Sequence, residues 1–145
     1  MYRSNQHERR GATALEFAVV APVFFLTLFT CFEFARVSMI ESFVEDAAFQ
    51  AARHMVVIGA SIEEGEEIAE NSLAIFGVQN ASISIAPKFN GVVQSQINDA
   101  TETVTVNVAV PMRDNLTVSH FMKDFVIERT AVMKTERYRN LSINN

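Results

Sequence analysis

Glu16 is the only charged side chain between Ala12 and Phe32, a stretch of 21 residues. A helix of about 20 apolar residues is long enough to cross the hydrocarbon core of a bilayer. A carboxylate inside such a segment costs a few kcal/mol, which marks it as a functional-site candidate. The chemistry open to it is electrostatic: pairing with a cation of its own chain or of a neighbour. Arg9 and Arg10 stand just before the segment, followed by Gly11, and Phe17 comes directly after the acid. Gly11 has no side chain, which suits close approach by another backbone. The plain alternative is a signal anchor whose one polar residue snorkels toward the head groups.

Little else in the chain has the spacing for chemistry. His7, His54 and His120 are scattered, and none has a cysteine or carboxylate at metal-ligand spacing. There is no glycine-rich phosphate loop, no Gly-x-Ser-x-Gly turn and no paired-cysteine motif. Cys31 is the only cysteine and lies in the apolar run, so it reads as a small packing residue. No catalytic residue, metal or cofactor is expected, and an enzyme ranks last among the readings. Asn80-Ala-Ser82, Asn115-Leu-Thr117 and Asn140-Leu-Ser142 match the glycosylation acceptor pattern, here read as coincidence.

The run Arg9-Arg10-Gly11-Ala12-Thr13-Ala14-Leu15-Glu16-Phe17-Ala18, with Pro22 farther along, resembles the processing site of type IV-like prepilins. Within that group it resembles the TadE-like pseudopilins of the tight-adherence (Flp) pilus system. The resemblance implies that a membrane prepilin peptidase cuts after Gly11, so that Ala12 becomes the new N-terminus. It also implies that Glu16, with Phe17 behind it, aligns subunits as the fifth residue of the mature chain. Classical type IV pilins and type II secretion pseudopilins begin the mature chain with Phe, so Ala12 favours the tight-adherence branch. The specific part covers about the first 55 residues, and the rest fits the family only loosely.

The resemblance further implies the partners: the peptidase, other pilins or pseudopilins, and the pilus assembly machinery. Major Flp pilins are very short, whereas this chain carries a further domain, so a minor pilin or pseudopilin role fits better. Elementary electrostatics agrees with the alignment role. Cleavage would free the α-amine of Ala12 four residues before Glu16, and residues four apart face each other on a helix. In lipid, such a pair lowers the cost of both charges.

Composition sets the topology. The 145 residues carry a net charge of −5. Arg3, Arg9 and Arg10 precede the apolar run against one acid, Glu8, while Glu33 and Arg36 follow it. The basic excess puts the N-terminus in the cytoplasm and the rest outside. Together with the resemblance, this implies a single-pass protein of the inner membrane with its domain in the periplasm, pilus-associated if cleaved. Loss of the leader would remove three basic residues and one acid, making the chain more acidic. Nucleic acid is therefore excluded as a partner, and membrane lipid is included. A secretory signal peptide has an apolar core of about 7–15 residues, shorter than this one, so the helix is read as retained.

The expected organisation is a leader over 1–11, a transmembrane helix over 12–32 and a domain over 33–145. The spacing predicts one helix from Ala12 to Ile58, bent at Pro22, where a backbone donor is missing. Beyond the membrane, Val37, Ile40, Val44, Ala47, Ala48, Ala51, Met55 and Ile58 form an amphipathic stripe. Ala47, Ala48 and Ala51, with Ala52, let another surface approach closely for helix packing. Gly59 is the expected stop.

A capping box at Ser61-Ile62-Glu63-Glu64 opens a second helix that runs to about Phe76. Its buried side is expected to hold Ile68, Ala69, Ser72, Leu73, Ile75 and Phe76, with Gly77 as the stop. Three strands follow, over Ala81–Ile85, Thr103–Val110 and Val126–Tyr138, in one antiparallel sheet. Pro87–Ala100 reads as a mobile or partner-facing loop, Asn115–Phe125 as a short helix and Leu141–Asn145 as a frayed tail. The fold class is therefore α+β. A long membrane-spanning helix continues into an amphipathic helix, then a second helix and a small three-stranded antiparallel sheet. The rival function is a signal-anchored periplasmic binding module without a pilus role.

Overall fold

The computed structural model describes residues 6–57, 60–98, 100–117 and 124–135. The chain divides into two compact units, Met1–Arg36 and Val37–Asn145. Helix α1 covers Gln6–Met55 and contributes to both. It begins upstream of the expected Ala12, and the expected stop at Ile58-Gly59 lies outside the described residues.

In the first unit α1 runs through Pro22, whose nitrogen has no hydrogen to give the carbonyl one turn back. The hydroxyls of Thr27 and Thr30 donate to the carbonyls of Val23 and Leu26, at 2.9 and 2.8 Å. Each hydroxyl is thereby satisfied inside its own helix, as a lipid environment requires.

In the second unit the predicted stripe of α1 is buried. Val44, Ala47, Ala51, Ala52 and Met55 are fully covered. Helix α2 spans Ile62–Ile75 and buries Gly65, Ala69 and Leu73, spaced four apart. Ile75, expected inside, is 79% exposed. It sits about 200° around the helix from Leu73, on the opposite side of the buried line. Phe76 is half exposed, but its ring stacks on Phe43 of α1 with centroids 3.5 Å apart.

Both ends of α2 follow from local chemistry. The Ser61 side chain accepts from the Glu64 N–H, while the Glu64 carboxylate accepts from the Ser61 N–H, each at 3.2 Å. At the other end Gly77 adopts φ +70°; its N–H donates to Ala74 and that of Val78 to Leu73. This pair of bonds is a Schellman cap, which needs a residue tolerant of positive φ.

The Glu64 carboxylate also meets His54 Nε2 at 3.4 Å. The Ser61 N–H first, and His54 second, hold the Glu64 carboxyl below the usual glutamate range, against a smaller opposing push from burial. A carboxylate lowered on folding stabilises the fold above its unfolded value, and that stability is lost as pH falls through the lowered one. His54→Ala will raise the Glu64 titration midpoint only part of the way back, because the larger Ser61 contribution survives. A carbon-detected NMR titration of the side chain measures this, and a complete return would refute the ranking.

The sheet has four strands, not the expected three. Strand β1 is Ser82–Phe89, β2 is Val92–Val93, β3 is Thr103–Pro111 and β4 is Val126–Lys134. Their order is β2-β1-β3-β4 and every pairing is antiparallel. The extra strand arises at Asn90-Gly91, which adopt φ 49° and 78°. Two successive positive φ values make the tight hairpin turn that Asn-Gly favours. This turn pairs Phe89 with Val92 inside the segment expected to be a loop.

Pro87 does not end β1, because its carbonyl points toward the β2 side and accepts the Gln94 N–H. The hydrogen it lacks would point the same way, so pairing with β3 loses nothing. The rest of the expected loop is tied down by Thr101, which is fully buried. Its hydroxyl bonds Gln94 Oε1 and the Asn98 N–H. Thr135 closes the other side, bonding the carbonyls of Thr101 and Glu102.

Val104, Val106, Val108 and Val110 all point inward from β3, and with Ile127 of β4 they meet the helices. Arg129 of β4 shares that inner face by register and forms an ion pair with Glu41 of α1. After β3 a 3-10 turn covers Met112–Asp114, while residues 118–123 of the expected short helix lie outside the described residues. The described part of the last strand stops at Lys134; the remainder expected to Tyr138, and the tail beyond, lie outside as well.

In the sequence Asn115 stands in a glycosylation pattern and at the start of the expected short helix. It is 3% exposed, and its amide donates to the carbonyls of Gln79 and Pro111, at 2.9 and 2.8 Å. Its oxygen accepts the Gln79 N–H at 2.8 Å. The link from α2 to β1 is thereby fastened to the end of β3. Asn115→Ala leaves three backbone groups without a partner and should cost about 2–3 kcal/mol, read by urea unfolding.

Candidate processing and membrane segment

From Leu15 to Phe32 α1 presents an almost wholly apolar surface that is exposed among the described residues. Leu15, Phe17, Phe25, Leu26 and Phe32 are each at least 62% exposed. Among the described residues this helix is long and apolar enough to cross a membrane. Monomeric soluble proteins rarely leave apolar patches of such extent in water. A single N-terminal candidate span is consistent with a single-pass membrane protein.

The junction residues lie at the start of this helix. Gly11 and Glu16 are both helical and exposed, with Phe17 next to the acid. Glu16 has no hydrogen bond or ion pair among the described residues, so its charge is not spent inside the fold. A Cβ added at Gly11 would meet no atom within 4 Å, and its φ is not in the left-handed region. Among the described residues neither packing nor backbone conformation calls for glycine there. Ala12 precedes Glu16 by four helical positions, placing the two backbones on one side of α1.

Other candidates fall elsewhere. Ala47, Ala48 and Ala51 are packed inside the core of the second unit, against this chain's own helix and sheet. No group of three or more His, Cys, Asp or Glu side chains that could hold a metal occurs among the described residues. Sequence reasoning did not pick out Gly65, Asn115 or the Glu41–Arg129 pair. For Gly65 a signal was there: a glycine inside a helical pattern, spaced four from Ala69. Arg129 and Asn115 carried none, because Glu41 and Gln79, the partners that give them their roles, are remote in the chain.

No curated protein and no solved structure matches the chain. A family model does match its N-terminal part. Residues 11–53, which begin at Gly11 and hold Glu16, Pro22 and the apolar run, match the family described as TadE-like protein, a Tad pilus-associated family to which this segment is thus similar.

Proposed function

We propose that this chain is a pseudopilin or minor pilin-like protein for assembly of tight-adherence (Flp) pili, matured by a prepilin peptidase that cuts after Gly11. The observation that carries this reading is Glu16, an exposed carboxylate with no partner among the described residues, in an apolar helical segment. Cleavage would create the α-ammonium of Ala12 one helical turn away, on this chain or a neighbour. The match over residues 11–53 supports the same reading. In this scheme the leader stays in the cytoplasm, α1 anchors the chain in the inner membrane and the second unit stands in the periplasm. The chain is then the peptidase's substrate, and its partners are other pilins and the assembly machinery.

Mass spectrometry of the protein from its native membranes tests the processing step. A mature form starting at Ala12 is expected. A full-length chain, in a host that has the peptidase, would overturn it. Glu16→Gln tests alignment separately: the fold should persist, and surface fibre production should fall. Unchanged maturation together with unchanged fibre yield would remove the basis for assigning Glu16 a role.

A further inference from the structure

Strand β4 is the edge of the sheet, with no strand among the described residues on its far side. The Thr135 N–H bonds Glu102 O, and the Met112 N–H bonds Phe125 O. These bonds fix which residues of β4 turn toward β3, since the direction alternates along an antiparallel strand. Arg129, Ala131 and Met133 bond inward. Glu128, Thr130 and Val132 direct their N–H and C=O groups outward, as a row of open donors and acceptors.

Beside this edge runs a groove of about 240 Å³ between β4 and α1. Its α1 wall is Glu45, Ala48 and Phe49, and its β4 wall is Arg129 through Met133. Phe49 is half exposed, although Ala48 beside it and Ala52 three residues on are buried. Glu45 has no ion pair or hydrogen bond among the described residues, whereas Arg129 is already matched by Glu41. The groove therefore has an open backbone ladder, an apolar floor and one unmatched negative charge.

We propose that this edge takes a fifth strand from a partner protein: an extended segment with an apolar side chain over Ala48 and Phe49 and a lysine or arginine facing Glu45. Main-chain bonds to Glu128, Thr130 and Val132 supply the docking, and the groove selects the sequence. A second copy of β4 fits the edge less well. On the face toward α1 a second β4 offers only Arg129 as a cation for Glu45, and Glu41 already matches it. The inference rests on the second unit alone and does not depend on cleavage at Gly11.

The test uses the full chain in detergent micelles. The probe is a fluorescein-labelled peptide of alternating threonine and valine with one central lysine; a twin peptide carries glutamate instead. The lysine peptide should bind, and should slow amide exchange at Glu128, Thr130 and Val132. Glu45→Lys should weaken binding at least about tenfold, equivalent to about 1.4 kcal/mol. Thr130→Pro should abolish binding, while the inward-facing ladder to β3 and the melting curve persist. Equal binding of the two peptides, unslowed exchange along β4, or dimerisation of the chain through this edge would each overturn the proposal.

Discussion

Gly11→Val will leave the fold unchanged and abolish maturation. Gly11 sits in a helix, with open space where a side chain would go. Glycine in a helix interior is less favourable than alanine by about 1 kcal/mol, so the chain's own stability gives no reason to place it there. The proposed reason lies outside the chain, in a peptidase cleft that must close around the backbone before Ala12. Valine adds bulk that this helix tolerates and such a cleft does not. The readout is paired: circular dichroism of the purified chain and intact mass from native membranes. A valine variant that still matures to a chain starting at Ala12 would show that the glycine serves another purpose.

The second large effect concerns Met55 and Gly65. Met55 is fully buried, and a Cβ built on Gly65 would lie 2.5 Å from its sulfur and 2.7 Å from Cδ1 of Ile85. Met55→Ala should cost about 2–4 kcal/mol through lost burial and the cavity left behind. Gly65→Ala alone should cost up to about 2 kcal/mol, as crowding outweighs the gain in helix propensity. Made together, the alanine methyl at 65 enters the space that the methionine vacates. The double variant should therefore be more stable than the sum of the singles predicts, by about 1 kcal/mol. Urea unfolding of the second unit, followed in the full chain by amide exchange, measures the cycle. Simple additivity would mean that the two residues do not share that space.

The proposals draw on opposite ends of the chain's physics. At the junction, Gly11 and Glu16 have no internal use among the described residues, and the use proposed for them lies in a partner. In the domain, Gly65 and Asn115 are residues whose identity the fold demands, and they need no partner to explain them. The same distinction bears on Ala47, Ala48 and Ala51. Their small side chains admit a close surface, and that surface is the chain's own core.

Local chemistry determined much of this protein directly. The span of α1 through the apolar run is fixed by the length and continuity of apolar residues. The start of α2 follows from Ser61 and Glu64, three residues apart, and its end from Gly77. Strand β3 is visible in strict alternation, because one face is buried and side chains reverse at every residue. Asn90-Gly91 was equally visible, yet its meaning depended on whether Phe89 and Val92 would find each other across the turn. Only the tertiary structure decided that the hairpin adds a fourth strand, that Ile75 faces water and that Glu41 meets Arg129. These outcomes depend on which surfaces arrive opposite one another, between residues as many as 88 positions apart, and no periodicity within a short window carries that information.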